Sequence, residues 1–241
     1  FEINGTKIWT SGDKRADHIM VLTRTDPDAP KHRGISFLLC DMNTPGLTVN
    51  PIVNMAGDHN FNMITFDNVR VPKKNLVGEQ DRGWYVGATL LDFERSGVDY
   101  SAGARKTLEE LTDYSKSNSL NGKLLADNEV VRNRLSDLAI EVDVSRLISY
   151  NIAWMQSEGL VPNKESSMGK VFGTELQQHI SQVGMQMLGL HGQLAPGSKH
   201  AALEGRINHM YLSNVSETIA AGTSEIQRNI IATRGLGLPR G

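Results

Sequence analysis

Leu90-Leu91-Asp92-Phe93-Glu94-Arg95 is the stretch on which the reading of this chain turns. It lies early in a segment, from about Gly83 to Tyr114, whose apolar residues recur with helical spacing. At about 100° per residue, Trp84, Val86, Leu90, Leu91, Phe93, Val98, Ala102, Ala104, Leu108 and Leu111 share one broad arc. Asp92, Ser96, Asp99, Lys106 and Glu110 fall on the opposite arc, as a solvated face requires. Glu94 breaks the pattern. It points into the apolar arc, one turn from Leu90 and Leu91 and one turn from Val98. A carboxylate placed there finds a partner, takes up a proton or serves a site. Desolvation raises its pKa, which suits a general base. Pairing inside a helix bundle with Arg95, or with Arg105 three turns on, is the competing reading.

On the N-terminal side of this helix the signals are those of strands and turns. Lys7–Trp9, His18–Thr23, Gly34–Leu39, Leu47–Val49 and Met63–Phe66 are short β-rich runs. Asn4-Gly5, Thr25–Pro30, Pro45-Gly46 and Asp67-Asn68 punctuate them as turns. Such spacing suits a small antiparallel barrel or sandwich. Val69-Arg70-Val71-Pro72 closes the strand region, and Asn75 to Gly83 reads as a polar hinge. On the C-terminal side everything reads as helix. The polar run Lys116–Gly122 breaks the first helix, a second spans about Asp127–Glu158, and a third about Glu165–Leu190. Shorter helices follow near Ala201–Leu212 and Thr223–Thr233, giving an antiparallel bundle.

Composition excludes several classes. With 241 residues the chain can build one or two domains with a core. A formal net charge of -2 gives no reason to expect nucleic acid or an anionic membrane surface. Cys40 is the single cysteine, so an internal disulfide and a cysteine-based metal site are ruled out. No HExxH or paired-Cys spacing occurs, and no metal is expected. No apolar run approaches ~20 residues and no signal peptide leads the chain, which makes a cytoplasmic protein the expectation. Phe1-Glu2-Ile3-Asn4-Gly5 reads as a strand entering a turn, so the chain is expected to begin inside a domain.

Three further stretches carry a resemblance. They are Asn4–Gly12 (NGTKIWTSG) with Ala16-Asp17, Val69–Pro72 with Asn75, Gly78 and Gly83-Trp84, and Gly222–Ala232 (GTSEIQRNIIA). In this order they resemble the acyl-CoA dehydrogenase family. The resemblance implies an α+β fold: the remainder of a small antiparallel β-barrel domain over 1–75, on the flavin side, then an antiparallel four-helix-bundle domain over 76–241. The family's N-terminal helical domain is absent from this chain. FAD is the implied cofactor. Trp9 is the implied aromatic against the isoalloxazine, with Thr10 and Ser11 contacting the flavin's N5 edge and pyrimidine side. Read without the family, Trp9 fills a barrel core beside two turn hydroxyls. Thr223 and the following helix N-terminus are the implied diphosphate site, a position that equally suits a plain N-cap. Glu225 and Gln186 complete the implied cofactor-binding set.

Departures from the family pattern sharpen the expectation. Many members place their base just before the Gly-Thr, where this chain has Ala221. Other branches place it on the first bundle helix in a Leu-x-x-Glu-Arg context, which Leu91–Arg95 matches. By resemblance, Glu94 removes the α-proton of an acyl-CoA thioester, and the backbone N–H of Ala221 with the flavin ribityl hydroxyl supports the developing enolate oxygen. Electron-transferring flavoprotein is the implied acceptor. An Arg-x-x-Phe-Gly segment that family dimers extend to a neighbour's FAD is here Asn118-Ser119-Leu120-Asn121-Gly122. Gln186-Met187-Leu188-Gly189-Leu190-His191-Gly192 likewise carries Leu190 where the family has Gly. These losses point to an unlike partner subunit in an α2β2 assembly, as in bacterial enzymes acting on sterol side-chain thioesters; a homotetramer is the alternative. A non-catalytic assembly subunit and an acyl-CoA oxidase are the other readings.

Overall fold

A computed structural model describes residues 1–12, 16–94 and 97–239, with the side chains of 92–94 outside that description. It divides into two compact units, Phe1–Leu91 and Asp92–Gly241.

The first unit is built on alternation. In β5 (Phe61–Arg70) Asn62, Ile64 and Phe66 point inward, and Met63 points outward. This strand is central in an antiparallel sheet with β1 (Glu2–Ser11) on one side and β4 (Leu47–Ile52) on the other. A second sheet sets β3 (Ile35–Asp41) between β2 (His18–Arg24) and the short β6 (Leu76–Val77), which occupies part of the expected hinge. Ile3, Val21, Leu38, Cys40, Ile64, Phe66, Val69 and Val71 form the shared core. Asn4-Gly5 and Asp67-Asn68 are not turns between strands. They lie inside β1 and β5 as a bulge, where Asn4 Oδ1 accepts from the Asn68 backbone N–H at 2.8 Å and the register shifts between Ile3 and Gly5.

The helix beginning at Gly83 seats its first turn on this unit. A Cβ at Gly83 would lie 2.2 Å from the Phe37 backbone nitrogen, so only glycine permits that approach. Helix α1 covers Gly83–Glu94, and α2 covers Val98–Ser117. The single helix anticipated from Gly83 to Tyr114 is therefore two. Gly97 has φ 74°, a left-handed conformation that cannot continue a right-handed helix. Part of the anticipated arc is exposed on both helices, Leu90 and Leu91 of α1 and Val98 and Ala102 of α2, while α2 buries Ser101, Ala104, Thr107, Leu111 and Ser115.

In the second unit α2 packs with α3 (Glu129–Ser157) and α4 (Asn163–Leu188), and α5 (Arg206–Ser213) and α6 (Ser224–Ile230) pack on α4. Asn128 starts α3 by accepting from the Val130 and Val131 N–H groups. Ala104, Leu111, Leu138, Val142, Leu176, Ile180, Val183, Leu188 and Ile207 make the core. Short connections between packed long helices give the bundle arrangement. The connection at 118–124 holds a small hairpin, β7 (Ser119–Leu120) and β8 (Lys123–Leu124), where the sequence reads only as a polar break. Helix α3 is apolar on two faces. Leu138, Val142 and Ile152 face the core, and Ile140, Val144, Leu147, Tyr150 and Trp154 form an exposed stripe opposite. None of the described helices is long and apolar enough to cross a membrane.

Candidate functional site

The end of β1 is the least regular part of the first unit. Between Lys7 and Thr10 its register against β5 slips, so that Ile8 and Trp9 together face Met63. Trp9 has φ 66°, a conformation rare for a bulky side chain. Its ring is 61% exposed and meets Phe61 edge-on, centroids 6.2 Å apart. The indole is therefore exposed on this unit and not part of its strand core. Thr10 follows half-buried and Ser11 exposed.

This strand end is tied to β5 by Asn62, which the sequence reading gave no role. It is 2% exposed, on the inward face of β5 and in register with Thr10. Its Nδ2 donates to the Thr10 carbonyl at 3.4 Å and to the Gly12 carbonyl. Two carbonyl acceptors require the NH2 side of the amide, so Oδ1 accepts, and His59 Nε2 meets it at 2.9 Å. The signal was present in the alternation: Asn62 holds an inward strand position otherwise given to Ile64 and Phe66.

Glu94 is the last residue of α1. The direction of its side chain, and any pairing with Arg95, lie outside the described residues. Near the start of the same helix, Trp84 stacks on His32, centroids 4.7 Å apart, and is 40% exposed.

A second constellation is built around α6. Ala221 and Gly222 both have left-handed backbone, φ 52° and 91°, and Thr223 then caps the helix by accepting from the Ile226 N–H at 3.3 Å. Gln227, fully buried, donates from Nε2 to the Ala221 carbonyl at 3.2 Å and to the Gly222 carbonyl at 3.4 Å. The preceding loop is tied to α4. Lys170 Nζ, on a buried side chain, donates to the Glu217 carbonyl at 2.9 Å, and Asn214 Nδ2 donates to the Gln177 carbonyl at 2.9 Å. Burial pushes the Glu217 carboxyl up against the opposing pull of Lys170, with Asp99 adding to the rise. Hydrogen bonds from its own backbone N–H and from the Thr223 hydroxyl hold the exposed Glu225 carboxyl below the usual carboxylate range. The N-cap reading of Thr223 thus holds in the structure, and it leaves the diphosphate reading open. Gln186 is exposed near the end of α4. Trp9, Thr10 and Ser11 come together at one strand end, and Ala221, Thr223 and Glu225 at one helix start.

Two other positions bear on partners. Asn118 Nδ2 donates to the Tyr114 carbonyl at 3.0 Å, so its amide closes the end of α2. Asn121 and Gly122, with φ 53° and 78°, form the tight turn of the hairpin, and Leu120 stands 63% exposed on it. Leu190 is 81% exposed beside Gly189. Among the described residues no group of three His, Cys, Asp or Glu side chains is placed to hold a metal ion.

Residues 1–69 match the family model for the acyl-CoA dehydrogenase middle domain, and residues 81–236 the model for the acyl-CoA dehydrogenase C-terminal domain. The chain belongs to the acyl-CoA dehydrogenase family. Among curated relatives, acyl-CoA dehydrogenase FadE26 of Mycobacterium tuberculosis is 34% identical over 248 residues, covering 100% of this chain and 62% of the relative. Among solved structures, the ChsE4-ChsE5 complex from Mycobacterium tuberculosis matches with a TM-score of 0.90 at 35% identity, covering 100% of this chain and 62% of that one. The Tcur3481-Tcur3483 steroid acyl-CoA dehydrogenase matches with a TM-score of 0.90 at 30% identity and the same coverage. This chain thus spans about 62% of the length of these relatives. The antiparallel sheets followed by a helical domain are the family's architecture, over its middle and C-terminal parts.

Proposed function

We propose that this chain forms most of an FAD-dependent acyl-CoA dehydrogenase subunit, converting an acyl-CoA thioester to its trans-2-enoyl product. The observation that carries the reading is Trp9, an exposed indole held in left-handed backbone directly before Thr10 and Ser11. A flat apolar ring offered to solvent beside two hydroxyls fits one face and edge of an isoalloxazine. FAD, when bound, accepts the hydride lost from the β-carbon. Trp9, Thr10 and Ser11 would hold its isoalloxazine, the indole by packing and the two hydroxyl residues by hydrogen bonding. Thr223, Glu225 and Gln186 belong to the remaining cofactor contacts. Glu94 takes the α-proton as general base. The backbone N–H of Ala221 donates to the thioester carbonyl oxygen as negative charge grows there. In this reading residues 1–75 serve the flavin side, and residues 76–241 supply the base, further FAD contacts and the oligomer contacts.

Replacing the base without changing its shape tests this. Glu94→Gln should cut flavin bleaching by acyl-CoA at least about 100-fold, while bound FAD stays in place. Unchanged turnover would move the base elsewhere or leave the subunit non-catalytic.

The substituted segment at 118–122 and the exposed Leu190 favour an unlike partner that supplies the missing Arg and Phe. The paired names of the ChsE4-ChsE5 and Tcur3481-Tcur3483 structures support the same assembly. Electron-transferring flavoprotein is the proposed acceptor. The reading places the protein in the cytoplasm, and Cys40, buried as a free thiol, needs no oxidising compartment.

A further inference from the structure

We infer that Asn62, locked by His59, is the positioning residue that holds the Trp9–Gly12 strand end in its flavin-facing shape. The inference rests on the flavin reading of Trp9, Thr10 and Ser11 given above. Left to itself, a tryptophan leaves the left-handed region, and a strand end with a slipped register frays. Something must hold both. Asn62 reaches across Ser11, donating one N–H to the Thr10 carbonyl and the other to the Gly12 carbonyl. Ser11 is thereby pinned between two fixed carbonyls, and Trp9 leads into a strand end that is tied on both sides of Ser11. The amide itself cannot rotate, because a flip would bring its oxygen against two carbonyl oxygens. His59 Nε2–H completes the lock by donating to Oδ1 at 2.9 Å. Every polar atom of the buried Asn62 side chain is then matched, as burial demands. Asn62 does not touch the flavin in this account. It acts through the backbone of residues that do.

His59 is exposed, so it can be changed with little effect on packing. The full-length protein, purified with its flavin and with a co-expressed partner where one is needed, is compared as wild type, Asn62→Leu, His59→Leu and His59→Gln. FAD dissociation constants, the visible flavin absorption bands and thermal midpoints are measured. Asn62→Leu should weaken FAD binding about tenfold or more, the scale of one or two lost hydrogen bonds, and shift the flavin bands. His59→Leu should move both readouts the same way with its thermal midpoint unchanged. His59→Gln, which keeps an N–H donor, should restore them. Leu variants with wild-type affinity and bands overturn the inference, as does a loss that follows the thermal midpoint and that His59→Gln does not rescue. If Asn62→Leu fails to fold, the His59 pair decides alone. Wild-type protein that binds no flavin would instead sink the flavin reading, and this inference with it.

Discussion

Single residues carry the proposed chemistry, and they differ in how openly the sequence displays them. Glu94 announces itself as an acid on an apolar arc, and Trp9 does so only through the resemblance. Its left-handed backbone follows from a register slip that depends on which residue faces which across two strands. Asn62 was readable from its inward position, yet its two carbonyl partners lie about fifty residues earlier, at Thr10 and Gly12, and no local rule connects them. Glu217 was invisible, because its environment is made by Lys170 and Asp99 from other helices. It yields a prediction with a sign. The folded chain keeps a proton on Glu217 to higher pH than the unfolded chain, so the associated stability is complete below about 4.5 and is lost as pH rises through the folded-state value. Glu217→Gln should therefore raise the thermal midpoint near pH 7.5, and the gain should vanish by about pH 4. A gain independent of pH would contradict that account.

At the scale of elements, periodicity gave existence well and boundaries less well. Helices α3 and α4 fall close to their anticipated spans because Asn128 and Pro162 punctuate them in sequence. The Gly83–Tyr114 helix was misjudged because a glycine inside an apolar helical pattern is usually tolerated. Only its positive φ turns Gly97 into a boundary. A methyl group at Gly97 would meet nothing closer than Ser149 Oγ at 3.5 Å, so Gly97→Ala has a backbone cost alone. That cost should be about 1–2 kcal/mol in denaturant unfolding. Leu111→Ala, by contrast, empties space in the bundle core, where the side chain is wholly buried. It should cost about 2–5 kcal/mol. Near-neutral behaviour at Gly97 would mean that the chain relaxes into a continuous helix. The hairpin at 119–124 escaped notice because its strands are two residues each, too short for alternation to register.

For the molecule as a whole, the order strands-then-helices was legible from the switch between two periods, and the family from three short stretches. The proposed assembly rests in the sequence only on losses, at Asn118, Asn121 and Leu190. The structure adds a positive feature, the apolar stripe on α3 opposite its core face. A helix apolar on both sides wants company on both. If an unlike subunit supplies the missing FAD contacts, the co-purified complex should carry one FAD per pair of unlike chains, measured by absorbance after denaturation. A homotetramer holding FAD in every chain would refute that arrangement. Trp9, Trp84 and Trp154 are 61%, 40% and 56% exposed, and they are all the tryptophans the sequence has. One lies on the proposed cofactor strand end, one on the first helix and one on the unpaired stripe. The chain therefore carries its own optical reporters: emission that is red and readily quenched by acrylamide when it stands alone should turn blue, dim and shielded as those surfaces are covered.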